Sequence, residues 1–271
     1  MGNKELGIAA SIAVTSFVAG NLVAKWMQPK PPKKVEDEAP AIDDATKSNL
    51  KEARFADAYI REHSLREPSV LKELREHTTA NVPLAIMLTD PCESQFFRLL
   101  LNMLDAKKCM EVGTYTGYNA LSCALTIPSD GIVYALDINE SYVKEGYPFF
   151  EKAGVKDKII TKIAPALDTM DELISNGDDE TFDFIYVDAD KPGYSKYLDR
   201  AMVLLRSGGI LALDNTLQGG RVTDVSAPMT DSRRSDATAM HELNKKLRLD
   251  NRFQLSFLNI ADGVTLSLIH I

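Results

Sequence analysis

Two stretches of this chain run from the pattern of a buried strand straight into charged side chains. Residues 184–191 read FIYVDADK, an apolar, β-branched and aromatic run typical of a buried parallel strand, closed by two carboxylates and an amine. Residues 209–215, GILALDN, repeat the pattern. If the two strands are neighbours, they lie about 4.8 Å apart. Asp188 and Asp214 would then repel each other unless a cation or a proton lay between them, and we favour a cation.

A glycine loop joins a strand pattern to a helix pattern at residues 108–118, KCMEVGTYTGY. Its glycines let the backbone approach a ligand closely, and amides at the start of the helix favour anionic or polar groups. The spacing from Gly113 to Gly117 is not GxGxxG, and the carboxylate of Glu111 would repel a diphosphate. A dinucleotide site is therefore disfavoured, and Glu111 is better suited to accept hydrogen bonds from ammonium or hydroxyl groups.

An acid ends the next predicted strand, residues 131–137, about 20 residues beyond the glycine loop. At that position Asp137 is expected to bind both hydroxyls of a ribose. The alternative is that it caps the helix that begins near Ser141. In an open α/β sheet, both roles lie at the carboxyl ends of the strands.

A strong helix start stands at Asp90-Pro91-Cys92-Glu93. Asp90 can cap the helix, Pro91 suits the first helical position, and Glu93 completes a capping box. The apolar face that follows predicts packing on a sheet, so any ligand role falls to the loop at residues 88–90.

The remaining pattern predicts a doubly wound α/β sheet of about seven strands with helices on both faces. Five strands alternate with helices, and residues 253–258 and 264–269 form a terminal antiparallel hairpin. Further helices are predicted at residues 141–153, 194–205 and 237–249, and a third strand at 158–163.

The N-terminus differs from the rest of the chain. Residues 6–24 carry no charge, and as a helix they would span about 29 Å, close to the thickness of a bilayer core of about 30 Å. Trp26 and several lysines follow, so the positive-inside rule predicts that the rest of the chain lies on the cytoplasmic side. We predict a membrane anchor at 1–28, a proline-rich and charged tether at 29–45, and one domain at 46–271. A cleaved secretory signal and a mitochondrial membrane anchor are the alternatives.

Charge and cysteine content argue against two classes of protein: nucleic-acid-binding proteins and proteins held together by disulfide bonds. Lys+Arg 31 against Asp+Glu 39 gives a net charge of −8, so nucleic acid is not an expected partner. The three cysteines have no metal-site spacing and fit a reducing compartment without a disulfide framework.

Six runs occur together and in order: EVGTYTGY, ALDIN, PAL, FDFIYVDADKPGY, GGILALDNTLQGG and DGVTL. Together they resemble the cation-dependent class I O-methyltransferases, the caffeoyl-CoA and catechol O-methyltransferase family, over residues 46–271. The resemblance implies a Rossmann-like class I methyltransferase fold, S-adenosylmethionine as methyl donor and a divalent cation, Mg²⁺ in the first place. With its hydrophobic anchor, the layout is similar to that of the animal catechol O-methyltransferase domain-containing proteins.

The resemblance also implies roles for single residues. The cofactor-binding residues are Thr89, Glu111, Gly113, Thr114, Asn119, Asp137, Ala166 and Asp190. The cation ligands are Asp188, Asp214 and Asn215, and Lys191 matches the general base that acts with Asp188 in catalysis. Lys47 matches a contact to the substrate tail.

Three positions depart from the family pattern. Asn119 replaces the usual serine of the cofactor loop, Ser94 replaces a glycine, and Gln218 stands where plant enzymes place a tryptophan against the aromatic substrate.

The expected activity is methyl transfer to a hydroxyl of a catechol-type or related vicinal-diol aromatic acceptor, and the resemblance admits a homodimer. Two alternatives stay open: an anchored S-adenosylmethionine-binding protein with little or no activity, and a nucleotide-dependent oxidoreductase.

Overall fold

The computed structural model describes residues 58–269. The predicted anchor, the tether, Lys47 and the first residues of the predicted domain lie outside the described residues. Within 58–269 every helix is too short or too polar to cross a membrane.

Seven strands and seven α-helices of eight or more residues make up the described part. A helical segment at 58–64 precedes them. The helices are α1 (Ser69–Asn81), α2 (Pro91–Met103), α3 (Tyr118–Thr126), α4 (Glu140–Lys152), α5 (Ala166–Ser175), α6 (Tyr194–Leu204) and α7 (Asp231–Leu249). The strands are β1 (Lys108–Val112), β2 (Ile132–Asp137), β3 (Ile159–Ile163), β4 (Phe182–Val187), β5 (Leu205–Leu213), β6 (Phe253–Leu258) and β7 (Val264–Ile269).

All seven strands form one sheet in the order β3-β2-β1-β4-β5-β7-β6. Strands β1 to β5 pair in parallel, whereas β7 runs antiparallel to both β5 and β6. The predicted doubly wound sheet with a C-terminal hairpin is therefore confirmed. The strand order reverses between β1 and β4, and the carboxyl ends on either side of such a switch point form the ligand crevice of open α/β sheets.

Two apolar cores cover the two faces of the sheet. Alternate strand residues point to opposite faces, so Ile185 and Val187 join the core with α5, α6 and α7. Phe184 and Tyr186 join the core with α1, α2 and α3. The side chains of β4 thus reach both layers, and α2 faces the Tyr186 side.

Two element bounds differ from expectation. Helix α7 begins at Asp231, six residues before the predicted start, because Thr230 caps it by accepting a hydrogen bond from the Arg233 N–H. Residues 231–236 are polar throughout, so they give no apolar stripe for a sequence pattern to detect. Strand β5 likewise starts at Leu205, before the apolar run at 209.

Candidate active site

The sheet brings the two predicted metal-ligand aspartates to neighbouring strand ends. Val187 pairs with Leu213 in the β4–β5 ladder. Asp188 and Asp214 are the residues that directly follow these two strands, so they lie side by side. The Asp188 N–H donates to the Val112 carbonyl at 2.8 Å, and the Asp214 N–H donates to the Val187 carbonyl at 3.1 Å. These backbone bonds fix both residues where the sheet ends.

Asp214 is only 3% exposed, which sets its electrostatics. Burial and then repulsion from Asp188 raise the pKa of Asp214 to about 7. The Tyr186 hydroxyl donates to Asp214 Oδ2 at 2.8 Å. Asp214 forms no ion pair with a lysine or arginine within residues 58–269. A cation placed beside it would therefore meet a poorly neutralised carboxylate.

Lys191 lies in a short 3₁₀ turn directly after β4, Lys191–Gly193. Its ammonium donates to Asp188 Oδ1 at 2.9 Å and to the Tyr194 hydroxyl at 2.8 Å. Tyr194 is anchored in turn by backbone carbonyls, including that of Val187 at 3.1 Å. The amine is thus held at the same strand end as the two aspartates.

Asn215 and Gln218 form a tight turn after β5. Asn215 has φ 54°, a left-handed conformation that asparagine tolerates better than most residues, and its N–H bonds to the Asp214 carboxylate. The Gln218 side chain is buried and donates to the Asn215 carbonyl at 3.0 Å. Gln218 therefore braces the turn that carries the predicted amide ligand.

The glycine loop touches the end of β4. A Cβ on Gly113 would lie 1.9 Å from the Asp188 carbonyl oxygen, and Gly113 has φ 93°. Only glycine allows both this approach and this conformation. The predicted cofactor loop and the predicted cation site thus share a backbone contact.

Asp137 binds the glycine loop rather than capping a helix. Its Oδ2 accepts from the N–H groups of Thr114 and Tyr115 at 3.0 and 2.7 Å. Helix α4 is capped by Asn139, whose side chain accepts from the Ser141 N–H. The helix-cap alternative for Asp137 is therefore wrong, and its carboxylate holds the loop that the sequence assigns to the cofactor.

A second buried carboxylate, Glu111, lies beneath this loop. It is 2% exposed, and its Oε2 has no hydrogen-bond partner within residues 58–269. Burial raises the pKa of Glu111 well above its usual range, although the Asn119 amide opposes the shift. An unmet acceptor here suits a ligand that brings donors, such as the ammonium and hydroxyl groups of S-adenosylmethionine.

The other predicted cofactor residues surround the same strand ends. Thr89 is buried before α2, beside Tyr186. Ala166 is the first residue of α5, after β3. Asp190 is exposed, and one of its oxygens accepts from the Tyr197 hydroxyl at 2.5 Å.

Three side chains of this region were not predicted from the sequence as site residues: Tyr186, Tyr194 and Glu93. The two tyrosines sit in apolar runs that predict core packing, and their hydroxyls reach the strand ends only in the folded sheet. Glu93 was predicted to cap α2. Instead its carboxyl meets Tyr186 and lies in the electrostatic field of Asp214 and Asp188.

Within residues 58–269 no three His, Cys, Asp or Glu side chains are grouped so that they alone could hold a metal ion. The predicted set instead combines two carboxylates with the amide of Asn215.

The chain matches a family model described as O-methyltransferase over residues 61–269. The probable caffeoyl-CoA O-methyltransferase 2 of Dictyostelium discoideum is 41% identical over 208 residues, which cover 77% of this chain and 88% of that protein. The caffeoyl-CoA O-methyltransferase of Eucalyptus gunnii is 44% identical over 211 residues, covering 77% and 84%. The SAH-bound methyltransferase PaMTH1 of Podospora anserina superposes with a TM-score of 0.72 at 25% identity, over 88% of this chain and 100% of that one.

The sheet order, the hairpin and this superposition make the fold a Rossmann-like methyltransferase fold, as predicted. The same matches set the nucleotide-dependent oxidoreductase aside. The chain belongs to the O-methyltransferase family, as an S-adenosylmethionine-dependent O-methyltransferase related to the caffeoyl-CoA O-methyltransferases.

Proposed function

We propose that this O-methyltransferase requires a divalent cation, most suitably Mg²⁺, and methylates one hydroxyl of an aromatic vicinal diol. The observation that carries the proposal is the placement of Asp188 and Asp214 at adjacent strand ends, with Asn215 directly after Asp214. The donor set is all oxygen, which suits a hard cation such as Mg²⁺. The buried charge of Asp214 also fits, because it has no ammonium or guanidinium partner within residues 58–269.

When bound, the cation would lower the pKa of an acceptor hydroxyl through direct charge stabilisation, and S-adenosylmethionine would supply the methyl group. Lys191 is the residue assigned to the proton, which it would accept as the neutral amine: its Nζ lies 2.9 Å from Asp188 Oδ1, so a hydroxyl beside Asp188 is within reach. General-base help of this kind contributes about 10²–10⁴-fold. Tyr194 holds Nζ in place at 2.8 Å, which limits the positions that the amine can take.

The acceptor class is inferred from the relatives and from the charge of the site. Relatives at 41–44% identity carry names that specify caffeoyl-CoA, an aromatic vicinal diol in thioester linkage. The acceptor pocket is expected to differ from theirs at Gln218, whose side chain is turned inward onto the Asn215 carbonyl. Free catechols and their acyl-CoA esters are therefore the two acceptor groups to compare.

The test is mass spectrometry of methylated products after incubation with S-adenosylmethionine, Mg²⁺ and a panel of catechols and catechol acyl-CoA esters. Wild-type protein is expected to methylate members of the panel, and EDTA is expected to abolish the product. Asp214→Ala is expected to lose methylation but to keep S-adenosylhomocysteine binding, measured by calorimetry, which also reports that the variant is folded. Asp199→Ala, an exposed aspartate on α6, is the control and should behave as wild type.

Undiminished turnover in EDTA would remove the cation from the proposal. Tight binding of S-adenosylhomocysteine without methylation of any acceptor would favour the alternative of a binding protein with little or no activity.

We also propose that residues 1–28 tether the enzyme to a membrane, with the catalytic domain on the cytoplasmic side. The support is the uncharged run at 6–24 and the lysines that follow it. Full-length protein should remain in the membrane pellet after alkaline extraction, and a variant that lacks residues 1–28 should not. Release of both proteins would refute the tether.

A further inference from the structure

Glu93 is a buried carboxylate that the proposed mechanism does not use. It is 1% exposed and is the third residue of α2. The start of α2 does not depend on it, because Asp90 Oδ1 already accepts from the Cys92 N–H at 2.8 Å. Its Oε1 has no hydrogen-bond partner within residues 58–269. An unmet buried carboxylate oxygen is costly, so it calls for an explanation in the ligand-bound state.

Tyr186 connects Glu93 with the predicted cation site. The tyrosine is fully buried on β4, and its ring packs against Phe97 of α2 with centroids 5.0 Å apart. Its hydroxyl donates to Asp214 Oδ2 at 2.8 Å. Glu93 lies one helical turn before Phe97, on the same face of α2, so its carboxyl is directed to the same tyrosine. One hydroxyl group therefore lies between a predicted ligand and an otherwise unused acid.

Acidic groups outnumber basic groups around this hydroxyl within residues 58–269. The carboxyls of Glu93, Asp188 and Asp214 lie close enough to repel one another. Lys191 pairs with Asp188, whereas no lysine or arginine of residues 58–269 forms an ion pair with Glu93 or Asp214. Such a group of acids favours a cation beside it.

We propose that Glu93 is a positioning residue of the cation site, which orients Asp214 through Tyr186. This inference rests on the cation requirement proposed above. Direct coordination by Glu93 is not part of it, because no three acid, His or Cys side chains of residues 58–269 are grouped to hold an ion. Groups that orient metal ligands typically change metal affinity by about 10–100-fold when they are replaced.

The experiment measures Mn²⁺ affinity of the full chain by calorimetry, for wild type, Glu93→Gln and Asp199→Asn. Glu93→Gln is expected to weaken Mn²⁺ binding at least about 10-fold. Asp199→Asn makes the same kind of change, from an acid to its amide, at an exposed aspartate of α6 that pairs with Lys246. Because an exposed ion pair contributes little, Mn²⁺ affinity is expected to stay within about twofold of wild type. S-adenosylhomocysteine affinity should be unchanged in both variants.

A purely structural role for Glu93 makes a different prediction for thermal stability. Glu93→Gln removes an unpaired buried acid, so the melting temperature of the cation-free protein should not fall, whereas the rise produced by saturating Mn²⁺ should shrink. If Glu93 only held α2 against the sheet, Glu93→Gln would lower the melting temperature by the same amount with and without Mn²⁺, and this result would overturn the proposal.

Tyr186→Phe tests the route, since it keeps the packing of the ring. The loss of Mn²⁺ affinity in the double variant with Glu93→Gln should be smaller than the two single losses combined. Additive losses would overturn the role of Tyr186, and unchanged affinity in Glu93→Gln would overturn the proposal as a whole. Absence of Mn²⁺ binding by the wild type would instead overturn the proposed cation requirement.

Discussion

Gly113→Ala should destabilise this enzyme more than a glycine substitution that introduces backbone strain without a steric clash. The added Cβ would lie 1.9 Å from the carbonyl oxygen of Asp188 and 2.7 Å from its carbonyl carbon. Both atoms belong to the backbone where β4 ends, so no flexible side chain can move aside. The substitution therefore forces the glycine loop and the end of β4 apart.

The magnitude has two parts. A non-glycine residue in a left-handed conformation costs about 1–2 kcal/mol, and Gly113 has φ 93°. Overpacking against fixed atoms adds about 1–3 kcal/mol. Gly177→Ala is the matched control, because Gly177 has φ 83° and nothing lies within 4 Å of its added Cβ. Gly177→Ala therefore loses stability through backbone strain alone.

We expect Gly113→Ala to lower the free energy of unfolding by about 2 kcal/mol more than Gly177→Ala, measured by urea denaturation. For a domain of this size the extra loss corresponds to about 4–8 °C in melting temperature. A shift of about 1 Å at Asp188 should also reduce methyl transfer about 100-fold, while Gly177→Ala keeps wild-type activity. Equal stability of the two variants would refute the close contact between the glycine loop and β4.

Two further predictions concern half-buried carboxylates. Burial opposes ionisation of Glu67, but hydrogen bonds from Arg75 and Tyr118 lower its pKa from the ordinary 4.5. The stabilising effect of Glu67 is therefore present above pH 4.5 and lost as the pH falls through the lowered pKa. Glu67→Gln should reduce the urea midpoint at pH 7, and its difference from wild type should shrink as the pH falls below 4.5; a difference of constant size would contradict the ion pair. Asp137→Asn weakens two charge-assisted bonds to the glycine loop and should reduce S-adenosylhomocysteine affinity about 10–100-fold in calorimetry, whereas an unchanged dissociation constant would contradict this role.

The sequence predicted the parts of the site that depend on strand ends. An apolar run that stops at a carboxylate is a local signal, and parallel pairing brings such ends together without further information. The ladder from Val187 to Leu213 accordingly places Asp188 and Asp214 side by side. The sheet and its terminal hairpin followed from the same kind of signal, repeated along the chain.

Contacts between distant elements were beyond the reach of local patterns. The pattern at Asp90-Pro91-Cys92-Glu93 predicts a capping box, and Asp90 does cap α2. Glu93 instead turns to Tyr186 because α2 packs on the face of the sheet that carries the tyrosine. Tertiary packing therefore decided whether Glu93 caps α2 or faces Tyr186, and the sequence alone could not rank these two roles. The role of Asp137 was open for the same reason: its choice between a helix and the glycine loop depends on how β2 lies beside β1.

Two departures from the family pattern meet in the folded chain. Ser94 and Asn119 are both 1% exposed, and the Ser94 hydroxyl donates to Asn119 Oδ1 at 3.3 Å, from α2 to α3. The Asn119 oxygen is engaged by the serine, whereas its amide nitrogen, like Oε2 of Glu111, has no hydrogen-bond partner within residues 58–269. The serine thus fixes the orientation of a larger side chain in the cofactor loop. Two adjacent residues of α2 consequently face different parts of the site. Glu93 faces the strand ends that carry Asp188 and Asp214, and Ser94 faces the region of Asn119 and Glu111.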